Sequence, residues 1–276
     1  MMTLVILSSC EKYGRNVILV LNDDIEFTAD DISLYDSSTH IVYLKRTHDE
    51  LEDIEKGSFG FYDRGEAVLT GSIWPAYMSS TPTTPVIMTS PFMFQSFALR
   101  IDTWGNNDRG VINNPEMTAL MNRHGLLHSG LAVTAVAPVI TGSEMSFTMT
   151  VTNMDESDLL ILDPEKTGPG LFRYFSNGLY LLDPEDNSEV FADNLPHQVP
   201  DPWDSWSMDW LTELGPGESK TFIFNYTLTT VPVAGEYRVV FKFPGLSYQV
   251  SAGELYQGSS RIWLGDVIFS QVMTVQ

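Results

Sequence analysis

Cysteine is nearly missing from this chain of 276 residues: Cys10 is the only one. A single thiol excludes an intramolecular disulfide, so no covalent cross-link holds the fold. Basic charge is also scarce. Lys and Arg number 15 against 36 Asp and Glu, a net charge of −21. A surface of that sign repels phosphate backbones and argues against nucleic acid as a partner. Its plainest consequence is a soluble surface that resists self-association. The imbalance is steeper in residues 129–276, with 6 Lys and Arg against 19 Asp and Glu. No apolar run reaches the length of a membrane-spanning helix. The signatures of common enzymes are lacking too: no Gly-x-Ser-x-Gly elbow, no glycine-rich phosphate loop, no His-Glu-x-x-His and no cysteine pair for zinc. Acid pairs abound, but glycosidase chemistry needs two carboxylates placed across a cleft, which makes a hydrolase the outside reading.

What is present is alternation. Phe222, Phe224, Tyr226 and Leu228 fall on every second residue, as do Tyr237, Val239, Phe241 and Phe243. Side chains of a strand alternate between faces, so each run predicts a strand with one apolar face. Gly215-Pro-Gly217 and Ala234-Gly-Glu236 bracket them, and the two read as a half-buried antiparallel pair. Leu131–Val139, Glu144–Thr152, Leu159–Leu162, Gly178–Asp183, Glu189–Phe191 and Asp266–Val275 read as further strands. An apolar sheet face must be covered by a second layer, which argues for a β-sandwich over residues 129–276.

The first part, 11–128, reads as a β-rich domain with short helices. Val17–Leu21 is a short apolar run. Ile32–Leu44 is two strands about a polar turn. Phe59–Tyr62 and Ala67–Ile73 flank Asp63-Arg-Gly-Glu66, a hairpin signal. Thr47–Lys56 has the composition of a short polar helix. Four prolines in residues 75–91 argue for an extended surface loop. Phe92–Ile101 returns to strand. A helix is predicted from Pro115, with Asn114 as N-cap and Gly125 just past its end. The boundary is placed at Leu126–Gly130.

Phe147-Thr-Met-Thr-Val-Thr-Asn153, Gly178-Leu-Tyr-Leu-Leu-Asp183, Leu214-Gly-Pro-Gly-Glu-Ser219 and Ala234-Gly-Glu-Tyr-Arg-Val239 together resemble bacterial immunoglobulin-like modules. They are loosely similar to the intracellular proteinase inhibitor family in the Asn turn, the Pro-Gly-Glu turn and the Gly-x-Tyr strand. The resemblance covers about half the chain and implies an immunoglobulin-like β-sandwich. Its motifs are structural turns, so it carries no inhibitory residue over. Tyr237 stands where such folds place a tyrosine corner.

Leu7-Ser8-Ser9-Cys10 resembles a bacterial lipobox, which makes residues 1–10 a lipoprotein signal-like segment and Cys10 the lipidated residue. The apolar stretch before it is short and has no positive n-region; a translation start upstream of Met1 would supply both. The competing reading is a short buried strand with an inert thiol. The position of the sole cysteine favours the lipobox, and with it a lipid anchor in the bacterial cell envelope.

Three candidate sites follow. Trp203, Trp206 and Trp210, at i, i+3 and i+7, would share one face of a short helix. Flanked by Asp201, Asp204 and Asp209, exposed rings there would stack a sugar or anchor a protein partner. Rings that plug the end of the sandwich are the competing reading, and tryptophan is more often buried. Second, the Asx-rich loop Asp102–Asn113 has calcium-loop character, with Asp102, Asn106, Asp108 and Glu116 as oxygen donors. Set in an EF-hand register, two of its first three ligand positions fail, so a simple Asx-Gly turn competes. Third, His124 and His128 have ligand spacing, but Gly125 between them ends the helix.

The expected protein is a non-enzymatic envelope lipoprotein that binds a protein or glycan or serves in assembly. The alternatives are a structural spacer in a surface complex and a protease inhibitor.

Overall fold

The computed structural model describes residue 14 and residues 16–275, except 50–55, 81, 90–92, 104–112, 136–137, 186–188, 193–196 and 229–231. The chain is mainly β with multiple sheets. It divides into two compact units, Met1–Leu127 and His128–Gln276.

The first unit holds β1 (Val17–Leu21), β2 (Ile25–Thr28), β3 (Ile32–Asp36), β4 (Ile41–Leu44), β5 (Gly57–Asp63), β6 (Glu66–Pro75), β7 (Val86–Thr89) and β8 (Ala98–Asp102), and its last residue, Leu127, opens β9 (Leu127–His128). They form one sheet in the order β2-β1-β5-β6-β7-β8-β4-β3-β9. The β5–β6 hairpin turns on Arg64 and Gly65, both at positive φ, as the tight turns that match strand twist require. Helix α1 (Pro115–Arg123) starts where the sequence places it: the Asn114 side chain accepts the Glu116 N–H, and Gly125 follows in the left-handed region. Met117, Leu120 and Met121 are its buried face, packed into a core with Leu19, Phe27 and Phe61. Burial of each such side chain contributes about 1.5–3 kcal/mol.

The proline-rich segment differs from its predicted form. Val86–Thr89 is a strand inside the sheet, parallel to β6 on one side and paired with β8 on the other. Pro82 and Pro85 precede the strand and Pro91 follows it; Pro75 ends β6, where Ala76 and not Pro75 donates to the Thr89 carbonyl, so no proline removes a donor from the β6–β7 ladder. The predicted helix Thr47–Lys56 falls mostly on residues outside those described.

The second unit holds β10 (Leu131–Ala135), β11 (Val139–Thr141), β12 (Glu144–Asn153), β13 (Leu159–Leu162), α2 (Pro164–Ser176), β14 (Leu179–Leu182), β15 (Glu189–Ala192), β16 (Leu211–Leu214), β17 (Ser219–Thr227), β18 (Gly235–Pro244), β19 (Tyr256–Gln257), β20 (Ser260–Ile262) and β21 (Asp266–Val275). One sheet joins β12 to β10, β11 and β17; a second runs β15-β14-β18-β21; a third runs β16-β13-β20-β19.

The two aromatic strands are not neighbours in a sheet. β17 pairs with β12, whereas β18 pairs with β14 and β21. Their apolar faces meet instead across the core: Phe224 lies 5.0 Å from Phe241 and Phe222 5.9 Å from Phe243, centroid to centroid. Phe147 of β12 joins them, 5.1 Å from Phe241. Period-two spacing sets which face is apolar but not which strand lies alongside, and seven residues separate β17 from β18, too many for a tight hairpin. Helix α2 was not expected. It is kinked at Gly168, which sits at φ 73° ahead of Pro169.

Buried polar groups tie these layers together. Asp155 accepts hydrogen bonds from Arg261 Nη2 at 2.9 Å and from the backbone of Glu156, with His128 Nδ1 at 2.8 Å. Asp163 caps α2 by accepting the Glu165 N–H and also receives Thr212 Oγ1 and Lys220 Nζ. Burial acts to raise both acids. The bonds from His128 and Arg261, and from Lys220 and Thr212, outweigh it and hold both carboxyls below their ordinary range.

Candidate functional site

Residues 201–210 join β15 to β16 without forming the predicted helix. The Asp201–Pro202 peptide is cis. Ser205 turns the chain back, its N–H and Oγ both donating to the Pro202 carbonyl, at 2.9 and 2.7 Å. The tip of that turn carries Trp203 and Asp204 outward. Only Met208–Trp210 is helical, as one 3₁₀ turn in which Ser207 Oγ accepts the Asp209 N–H. Regular α spacing is therefore lost, and the three tryptophans do not line up on one face.

Their environments differ accordingly. Trp203 is 57% exposed. Its ring stacks on Tyr248, centroids 5.6 Å apart and planes 13° from parallel, and Tyr248 is itself 40% exposed. Trp206 is half-buried, near enough to the Glu254 carboxylate to favour its charged form. Glu254 accepts from the Ser251 backbone and hydroxyl, at 3.0 and 2.5 Å. The bonds from Ser251, opposed by slight burial and aided by Trp206, hold Glu254 below the usual carboxylate range. Trp206 thus lies against the 245–255 loop. Trp210 is half-buried against Phe175 of α2, at 6.2 Å, and its carbonyl accepts the Asp163 N–H.

The resulting surface is an aromatic step, Trp203 on Tyr248, with exposed Asp201, Asp204 and Asp209 on the same loop. A large open indole face offers a flat apolar platform, and carboxylates at its rim accept hydrogen bonds from hydroxyl or amide donors. Tyr248 was not legible beforehand. It stands between Ser247 and Gln249 with no aromatic neighbour in sequence, and only the approach of two loops 45 residues apart brings it to Trp203.

The other predicted donors do not assemble among the described residues. Asp102 ends β8, accepts the Thr103 N–H at 2.7 Å and pairs with Arg100 at 3.4 Å. Glu116 lies exposed in the first turn of α1. Asn106, Asp108 and Cys10 lie outside the described residues. No group of three or more His, Cys, Asp or Glu able to hold a metal occurs among the described residues. His124 caps α1 while His128 turns to Asp155, so the two do not share a ligand.

No protein-family model matches the chain, and no curated protein matches it in sequence.

Proposed function

We propose that the chain is a non-enzymatic binding protein of the bacterial cell envelope, held by lipid on Cys10, whose second unit is an immunoglobulin-like sandwich presenting Trp203 to a glycan. The observation that carries the reading is the 57% exposure of Trp203 in a fixed, stacked pose on Tyr248. An exposed indole that is immobilised loses little side-chain freedom when a ligand lands on it. A sugar ring offers a flat C–H face to that platform and hydroxyls to the carboxylates of Asp201 and Asp204.

Two features support the sandwich. The aromatic faces of β12 and β17 meet that of β18, and the Tyr237 hydroxyl donates to the Val233 carbonyl at 2.9 Å, the bond of a tyrosine corner. Helix α2 and the third sheet are elaborations on it.

The half-burial of Trp206 and Trp210 favours a second reading for those two rings, as internal fastenings of the kind a structural spacer needs. The experiment separates the two. Envelope oligosaccharides are titrated against the full chain by calorimetry, with tryptophan fluorescence as a second readout. Trp203→Ala is expected to weaken binding at least tenfold with an unchanged melting temperature, because the ring is exposed. Trp210→Ala is expected to lower the melting temperature. Glycan binding that survives Trp203→Ala, or no binding by any oligosaccharide tested, defeats the reading and leaves the spacer.

A further inference from the structure

The second unit also carries a cleft of about 180 Å³ lined by α2 and β17. Its helical wall includes Glu165, Phe172 and Arg173; its other wall is the run Phe222–Tyr226. Those five residues alternate between the core face and the exposed face, Phe224 being 9% and Ile223 70% exposed. A cleft lined by both sets runs along the edge of the strand rather than over one face.

That edge is open. β17 pairs with β12 over nine residues and with no other strand among the described residues, while β10 and β11 take the opposite side of β12. The direction of each backbone group follows from two bonds. Leu228 donates to the Ser143 carbonyl, and Glu218 accepts from Asn153. Backbone groups of an antiparallel strand alternate in side by residue, so even-numbered residues face β12. Ile223 and Asn225 therefore aim their N–H and C=O groups into the cleft.

The charge at the site is ordered as well. Glu165 is met by Lys220 at 3.0 Å. Arg173 brings positive charge to the helical wall, in a protein of net charge −21. Burial pushes the Tyr226 hydroxyl above its usual range, with the Arg173 charge acting against that shift.

We infer that this cleft binds an extended peptide segment of a partner protein, which adds as a strand to the free edge of β17 and turns an acidic side chain toward Arg173. Hydrogen bonds to Ile223 and Asn225 hold its backbone, and alternate apolar side chains enter beside Phe172 and Phe224. Five residues of strand edge span about 17 Å at roughly 3.3 Å each, the reach of a five-residue segment. The site is separate from Trp203.

The test uses the full chain and a displayed library of random heptapeptides, followed by a synthetic probe, acetyl-Thr-Val-Glu-Val-Thr-Val-amide, and its analogue with proline in place of the central valine. The expected result is enrichment of alternating β-branched sequences with an acid and without central proline. The probe should slow hydrogen exchange at the Ile223 and Asn225 amides. Ile223→Pro removes a cleft-facing donor without cutting a bond to β12, and should weaken the probe at least tenfold. Arg173→Glu should weaken it at least fivefold, and serves alone should the proline variant fail to fold. Trp203→Ala should leave it unchanged, so failure here and failure of glycan binding are distinct results. No enrichment of alternating sequences over proline-bearing ones, equal binding by the proline analogue or by Ile223→Pro, or protection confined to other strands overturns the inference. So does a dimer joined through β17 that the probe does not dissociate.

Discussion

At the scale of residues, the strongest local commitments are buried charges. Arg261 is fully buried and Asp155 is 5% exposed. Removing one member of such a pair leaves the other charge desolvated without its counterion, at a cost of about 3–5 kcal/mol. Asp155→Ala is therefore expected to lower unfolding free energy by that amount in urea titrations, and an unchanged midpoint would show that the pair is not holding the 153–158 turn. Histidine sets a different dependence. His48 is buried, with Nε2 at 3.1 Å from the Ala98 carbonyl, and burial moves its pKa down from 6.5. The unfolded chain takes up that proton near pH 6.5 while the folded chain resists it. Stability is then complete above pH 6.5 and falls as pH drops below it, at up to about 1.4 kcal/mol per pH unit. Thermal melts between pH 5 and 8 should show this slope, and His48→Gln should flatten it. Neither partner set was readable in advance: Asp155 and Arg261 are 106 positions apart, and His48 and Ala98 are 50 apart.

At the scale of elements, helix α1 was legible because its signals are local: a capping Asn, a proline at the first position and a glycine beyond the end. Helix α2 opens with the same device, Asp163 then Pro164, yet Gly168-Pro169-Gly170 reads as a loop. Its helical geometry survives because Leu171, Phe172 and Phe175 are buried against the sheets, a gain that outweighs low intrinsic propensity. Strand β7 was hidden for the opposite reason, since prolines crowded its flanks. It depends on Gly71, where an added Cβ would run into the Pro85 carbonyl and the Phe59 ring. Gly71→Ala is expected to destabilise the protein by more than the roughly 1 kcal/mol typical of point changes, because backbone must shift between β6 and β7. Proteolysis at 80–90 rising in parallel would confirm the place; a variant as stable as the parent would sink the argument.

At the scale of the molecule, charge is the dominant bias. A net charge of −21 opposes compaction by self-repulsion. Raising sodium chloride from 10 to 200 mM is expected to raise the melting temperature, since a Debye length falling from about 30 Å toward 7–8 Å screens that repulsion. A melting temperature that drops with salt would mean that attractive ion pairs outweigh it. The mainly β class, the strand positions in β12, β17, β18 and β21, and the capped helix α1 were determined by the sequence itself. Each depends on side-chain period or on contacts within a few residues, and those are written in the order of the chain. Which strands lie side by side, the stacking of Trp203 on Tyr248, and the free edge of β17 beside α2 were decided only in three dimensions. Strand partners, ring pairs and open edges arise where segments distant in sequence meet, and the same period-two pattern is compatible with many such meetings.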